Sequence, residues 1–145
     1  MTTEDNKVLV RRYYDDVWNT RNLAVADDLF TADYRDATAP PHVPTGPSGA
    51  RDFVAENVAR LPDIQYSVQD LIAEGDTVVA TWTARGINDG PLSTRSGQSR
   101  PPTGKVIEWS GATAFRLRDG RIAATRIYQD RLGIFQELGL VAETV

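Results

Sequence analysis

The chain contains no cysteine and a single histidine, His42. Without a thiol there is no disulfide, no thiolate nucleophile and no cysteine-ligated metal, and one imidazole falls short of a dedicated zinc site. No metal and no cofactor are therefore expected. Long apolar runs are missing too: none approaches the roughly 20 residues that a membrane-spanning helix needs. The opening MTTEDNKV is acidic and polar, the opposite of the basic start of a secretory signal, so a cytoplasmic location is expected with no membrane partner. Clustered positive charge is also absent. Sixteen lysines and arginines lie scattered among twenty acids, for a net charge of −4. The stretch holding Arg95 and Arg100 is too sparse to cradle phosphates, and a nucleic-acid partner is excluded.

What is present is an ordinary globular composition, 41% apolar and 25% charged over 145 residues, which fits one domain over 1–145 around one core. Val8, Leu9, Tyr13, Val17 and Trp18 recur at helical spacing and predict a helix over 4–19, with Thr3 as N-cap. A short helix over 23–30 and an extended segment over 34–37 follow. Residues 37–49 carry four prolines and two glycines and read as loop. Ser48 then caps a helix over 50–61, which Pro62 ends.

Beyond Pro62 the period changes from helical to two. Segments 64–72, 77–86, 105–117 and 121–130 read as strands of an antiparallel meander. Gly75-Asp76 and Asp119-Gly120 form turns, the latter a strong two-residue hairpin signal. Helices first and a sheet after them argue an α+β fold, with the helices on one face of a curved sheet. The segment 87–104 is long for a connection inside a compact domain. Gly86, Gly90, Gly97 and Gly104 lie at or near its ends and middle, with Pro91, Pro101 and Pro102 as stiff points. This pattern predicts a flap that closes over a pocket mouth.

The last strand holds the sharpest chemical signal. Counted back from its end, Asp130, Tyr128, Arg126, Ala124 and Ile122 share one face. If Ile122 is core, Arg126 and Tyr128 point inward with Asp130, putting a carboxylate at a pocket mouth. Asp130 alternatively caps the helix expected over 131–138, and both roles are compatible. On the strand over 105–117, Ile107 and Trp109 alternate with Glu108 and Ser110. If the even-numbered residues face inward, an apolar patch is left outside and predicts a homodimer. Trp82 and Trp109 read as core or as ligand platforms, Arg85 and Asn88 as carbonyl-orienting or surface residues, and His42 as a solvated loop residue.

The order ααβαββββ, with YYDDVWNTRNLAVADDLFTADY, GDTVVATWTARG, PPTGKVIEWSG and FRLRDGRIAATRIYQDRLGIFQELG, resembles the SnoaL-like polyketide cyclases of the nuclear-transport-factor-like superfamily. The resemblance implies an α+β cone: three N-terminal helices packed on a curved, mostly antiparallel sheet, with a short C-terminal helix. It implies a cofactor-free cyclase or isomerase for a polyketide-like or other bulky apolar carbonyl substrate. Asp130 matches the family's last-strand carboxylate, and Asp36 matches the catalytic aspartate of ketosteroid-isomerase-like members. Tyr14 matches a pocket tyrosine that would support an oxyanion. Tyr13 is its neighbouring alternative, since α-helical geometry points only one of the two at a pocket. Asn88, Arg126, Tyr128, Trp82 and Arg85 fall where substrate would be bound. The sequence departs from the cyclase pattern at Asn88 and Ala37, where histidines are usual, and at Arg126, where tryptophan is usual. Two other readings stay open: an epoxide hydrolase or epoxide-opening cyclase of the limonene type, and a non-catalytic small-molecule-binding module.

Overall fold

A computed structural model describes residues 1–93 and 97–141; Arg95 lies outside the described residues. Helix α1 (Thr3–Arg12) is capped by Thr2 rather than Thr3. The Thr2 hydroxyl accepts the Asp5 N–H at 3.0 Å while the Asp5 carboxylate accepts the Thr2 N–H at 3.0 Å, a reciprocal capping box. After Arg12 the helix widens instead of ending. Tyr13–Asn19 form a π-helical segment closed by i→i+5 bonds such as Thr20 N–H to Asp15 O, 3.2 Å. A 3₁₀ turn (Leu23–Val25) leads into α2 (Ala26–Leu29), and β1 (Phe30–Asp36) begins earlier than the sequence implied. Buried Phe30, Thr31 and Tyr34 draw this segment into the sheet. Pro47, favoured at a first helical position, opens α3 (Pro47–Arg60), so the N-cap is Gly46, two residues ahead of the expected cap Ser48.

The remaining elements are β2 (Gln65–Glu74), β3 (Thr77–Ile87), the short hairpin β4 (Leu92–Ser93) and β5 (Ser99–Arg100), β6 (Val106–Arg118), β7 (Arg121–Gln129) and α4 (Arg131–Glu137). Five strands form one sheet in the order β1-β7-β6-β3-β2, antiparallel except for the parallel pair β1/β7. This is the α+β architecture expected, with the parallel edge as its one addition. Asp119 and Gly120 both have positive φ, 52° and 74°, as the two-residue turn between β6 and β7 demands.

Two register facts decide what faces the interior. On β6 the odd-numbered residues Ile107, Trp109, Thr113, Phe115 and Leu117 are buried, while Glu108, Ser110, Arg116 and Arg118 are exposed. The expected outer apolar patch of Ile107 and Trp109 is therefore absent, and the dimer expectation loses that support. On β7 a bulge interrupts the pairing with β6: Leu117 pairs Ile122, whereas Arg116 pairs Ala124, leaving Ala123 as the extra residue. One inserted residue reverses the facing of everything beyond it. Ile122 stays buried, but from there Thr125, Ile127 and Gln129 turn inward, and Arg126 and Tyr128 turn out to solvent.

Among the described residues no helix is long and apolar enough to cross a membrane.

Candidate functional site

The concave face of the sheet closes against α1, its π-helical extension and α3 around a cluster of aromatic rings. Trp18 and Tyr66 have centroids 4.5 Å apart, Tyr66 and Trp82 5.0 Å, Tyr14 and Tyr66 5.4 Å, and Trp18 and Phe53 5.7 Å. Tyr13 and Tyr14, the first residues of the π-helical segment, both line this cavity. Both rings are buried, Tyr13 6% and Tyr14 2% exposed. The expectation that only one of them could point inward is corrected by this burial. Gly111 makes room on the sheet side. A Cβ there would lie 2.6 Å from the Trp82 ring and 2.6 Å from the Tyr128 carbonyl oxygen.

At the centre is a cavity of only about 20 Å³, on the scale of a single ordered water. No lining residue carries a formal charge among those described; its polar groups are phenols, the indole N–H groups of Trp18 and Trp82, Thr113, Thr125 and Gln129. Trp82 Nε1 donates to Thr113 Oγ1 at 3.0 Å. Trp109 Nε1 donates to Gln129 Oε1 at 3.1 Å. Burial pushes the phenols of Tyr13, Tyr14, Tyr34 and Tyr66 well above their ordinary pKa, opposed at Tyr14 by a hydrogen bond with Thr113 and at Tyr34 by one with Thr125. They are neutral donors, not bases, at any ordinary pH.

One carboxylate is wired to this cavity from outside. Asp36 and Thr125 are register partners across the parallel β1/β7 pair, and Thr125 Oγ1 donates to Asp36 Oδ2. A hydroxyl has one proton. Because Thr125 spends its own on Asp36, the 2.7 Å bond between Thr125 and Tyr34 must run from the Tyr34 hydroxyl. The other Asp36 oxygen accepts from the N–H of Thr38, at 2.7 Å, and from its hydroxyl. Thr38 Oγ1 in turn accepts the N–H of Ile127 at 3.2 Å.

Residues 8–138 match the family described as SnoaL-like polyketide cyclase. The chain belongs to that family. Solved structures with the same fold include TsrD from Streptomyces laurentii, 23% identical with a TM-score of 0.85, covering 97% of this chain and 99% of that one. IdmH from Streptomyces antibioticus is 25% identical with a TM-score of 0.74, over 92% of this chain and 98% of that one. A SnoaL-like polyketide cyclase from Agrobacterium tumefaciens is 17% identical with a TM-score of 0.73, over 96% and 100%. No curated protein sequence matches the chain.

In this SnoaL-like protein the residues singled out from the sequence separate into three groups. Tyr14 and Trp82 line the cavity, and Asp36 touches it through Thr125. Asn88 is fully buried but serves elsewhere. Its Nδ2 donates to Arg60 O at 3.1 Å and Gly90 O at 3.0 Å, and its Oδ1 accepts both the N–H and the hydroxyl of Thr103 at 2.9 Å. Those four bonds exhaust an asparagine side chain, leaving none for a substrate. Arg85, Arg126, Tyr128 and Asp130 are exposed. Arg85 lies 3.8 Å from Glu108 on the convex side, and the bulge at Ala123 carries Arg126 and Tyr128 to that side as well. Asp130 lies beyond the end of β7 and caps α4, its Oδ1 accepting the Gly133 N–H at 2.8 Å. None of these four lines the cavity.

The 87–104 segment also departs from expectation. Among its described residues none lines the cavity, and the Asn88–Thr103 bonds pin its base where a hinge was expected. Sequence reasoning missed Thr125 and Gln129 because it counted the last strand without its bulge. A signal was available: the phase Thr125-Ile127-Gln129 carries no charge, whereas the phase chosen would have buried Arg126, at a large desolvation cost.

Proposed function

We propose that the chain is a cofactor-free acid–base enzyme, a cyclase or isomerase that acts on a polyketide-like or other bulky apolar carbonyl compound. The observation that carries this reading is the Thr125–Asp36 hydrogen bond, which connects a cavity without formal charge to one carboxylate behind its wall. Family membership supports the same kind of chemistry. A cytoplasmic location is part of the same reading.

In the proposed step a substrate hydroxyl gives its proton to Thr125 Oγ1 as Thr125 passes its own to Asp36. The carboxylate becomes a carboxylic acid, and the substrate oxygen becomes the nucleophile that closes a ring onto an electron-poor carbon conjugated to a carbonyl. The carbonyl oxygen gathers the negative charge and is stabilised by the Tyr14 hydroxyl, whose raised pKa keeps its proton in place. Reversal of the relay returns the proton to carbon. General acid–base catalysis contributes about 10²–10⁴-fold and one preorganised donor about 10²–10³-fold. An intramolecular ring closure, already favoured by proximity, needs little more. The rings of Trp18, Phe53 and Tyr66 occupy the space a bulky substrate requires, so its entry displaces them. Epoxide hydrolysis by an arginine–aspartate set ranks lower, because no arginine lines the cavity among the described residues.

The test is turnover of hydroxy-enone thioesters that close oxygen rings. Asp36→Asn and Thr125→Val should each reduce kcat by about 10²-fold or more with the fold retained. Undiminished turnover by a folded Asp36→Asn protein rules the relay out. Binding without turnover by the unaltered protein would instead support a ligand-binding module.

A further inference from the structure

The inward end of β7 carries a polar side chain that the family match assigns no role. Gln129 lines the cavity, and its Oε1 is held by Trp109 Nε1 at 3.1 Å. An indole N–H only donates, so the amide oxygen must face Trp109 and the NH₂ end must face away from it. Among the described residues that NH₂ group has no hydrogen-bond partner. The arrangement is stiff at its base. Gln129 is the register partner of Gly111, two residues from Trp109 on the same face of β6, and Trp109 is 9% exposed.

We propose that Gln129 Nε2 is the donor that takes the carbonyl oxygen of the ligand and, on the acid–base reading above on which this rests, the oxyanion formed from it. Trp109 is the positioning residue that fixes which end of the amide is offered. Gln129 comes from the sheet and Tyr14 from the helical wall, and both residues line the same small space. In a site without formal charge, a fixed dipole needs no reorganisation as negative charge develops. The amide also carries a selectivity consequence: a ligand with a carbonyl satisfies the donor, whereas its hydrocarbon analogue leaves it unpaired.

The experiment uses acetophenone labelled at the carbonyl carbon, with ethylbenzene as the hydrocarbon analogue, on the full chain. Binding to the unaltered protein should move the carbonyl infrared band to lower frequency, and acetophenone should bind about tenfold more tightly than ethylbenzene. Gln129→Glu, measured at a pH where its carboxyl is ionised, keeps an acceptor for Trp109 while removing the donor, so the band should return toward its position in apolar solvent. Trp109→Phe frees the amide to rotate and should broaden the band, a change that loss of packing alone does not produce. Asp36→Asn should leave the band where it is. An unmoved band in the unaltered protein, or an equally displaced band in Gln129→Glu, overturns the assignment of Gln129. A displaced band without turnover of any hydroxy-enone overturns the acid–base reading and leaves the donor assignment standing. If Gln129→Glu does not fold, the Gln129 side-chain amide resonance of the unaltered protein, followed during acetophenone titration, reads the same contact; no movement overturns the assignment.

Discussion

The hydroxyl of Thr125 donates to the carboxylate of Asp36, its register partner on the neighbouring parallel strand, and accepts from Tyr34. Thr125 is buried and Asp36 half-buried, so removing the hydroxyl leaves a buried phenol and a carboxylate oxygen both short of a partner. Thr125→Val, nearly the same shape, should cost about 1–3 kcal/mol. Combined with Asp36→Asn, the loss should be less than additive. Urea melts of the two single variants and the double variant check this; strict additivity would mean that the two side chains do not communicate.

The four buried tyrosines make stability sensitive to alkali. Their folded pKa values lie above the ordinary value near 10, chiefly because burial penalises the phenolate. Below about pH 10 both folded and unfolded chains hold these protons, and the contribution is complete. Above it the unfolded chain loses protons that the folded one keeps, so stability falls by about 1.4 kcal/mol per pH unit for each phenol until the folded values are reached. Tyrosinate absorbance and circular dichroism should therefore change together above pH 10. Ionisation of these phenols at pH 10 with the fold intact would contradict their burial.

Asp130 is expected to matter as a cap and not as a base. Asparagine caps as well as aspartate, so Asp130→Asn should hold stability within about 0.5 kcal/mol, whereas Asp130→Ala should lose about 1 kcal/mol. Turnover of Asp130→Asn should stay within about twofold of the unaltered protein. A hundredfold fall in a folded Asp130→Asn variant would return this residue to the chemistry.

Gly111→Ala should be destabilising by about 1–3 kcal/mol, because the new methyl group meets both the Trp82 ring and a backbone carbonyl. The ring could yield; the carbonyl of Tyr128 belongs to the sheet and cannot. Thermal melts measure the loss, and tryptophan fluorescence should report displacement of Trp82. An unshifted melting temperature would show that β7 yields at Tyr128.

Much of the fold is legible in the sequence because it rests on local rules: alternation over 77–86 and 105–117, and the Asp119-Gly120 turn. The site is less legible because it depends on two departures from regular geometry. A single extra residue at Ala123 exchanges the faces of Arg126 and Thr125, and no alternation rule reports where a strand will bulge. The helix passes into π-helical geometry after Arg12, and Tyr13 and Tyr14 are both buried there, which the α-helical periodicity did not report. Asn88 shows a different limit. A polar residue before a glycine-rich loop reads the same whether it meets a ligand or closes the loop, and only its four bonds distinguish the two.

That closure has a consequence for how the protein tolerates change. Asn88 gathers the end of α3, Gly90 and Thr103 into one knot, and its own backbone bonds Lys105 O and the Gly104 N–H at 2.9 Å. The two ends of this connection are thus tied to each other at one point. Whatever length is spliced between Pro91 and Pro102 meets the same two ends, and an added loop raises closure entropy only slowly with its length. A peptide or label grafted into this connection beyond Leu92, which itself packs against the core, meets ends that the knot already holds in place.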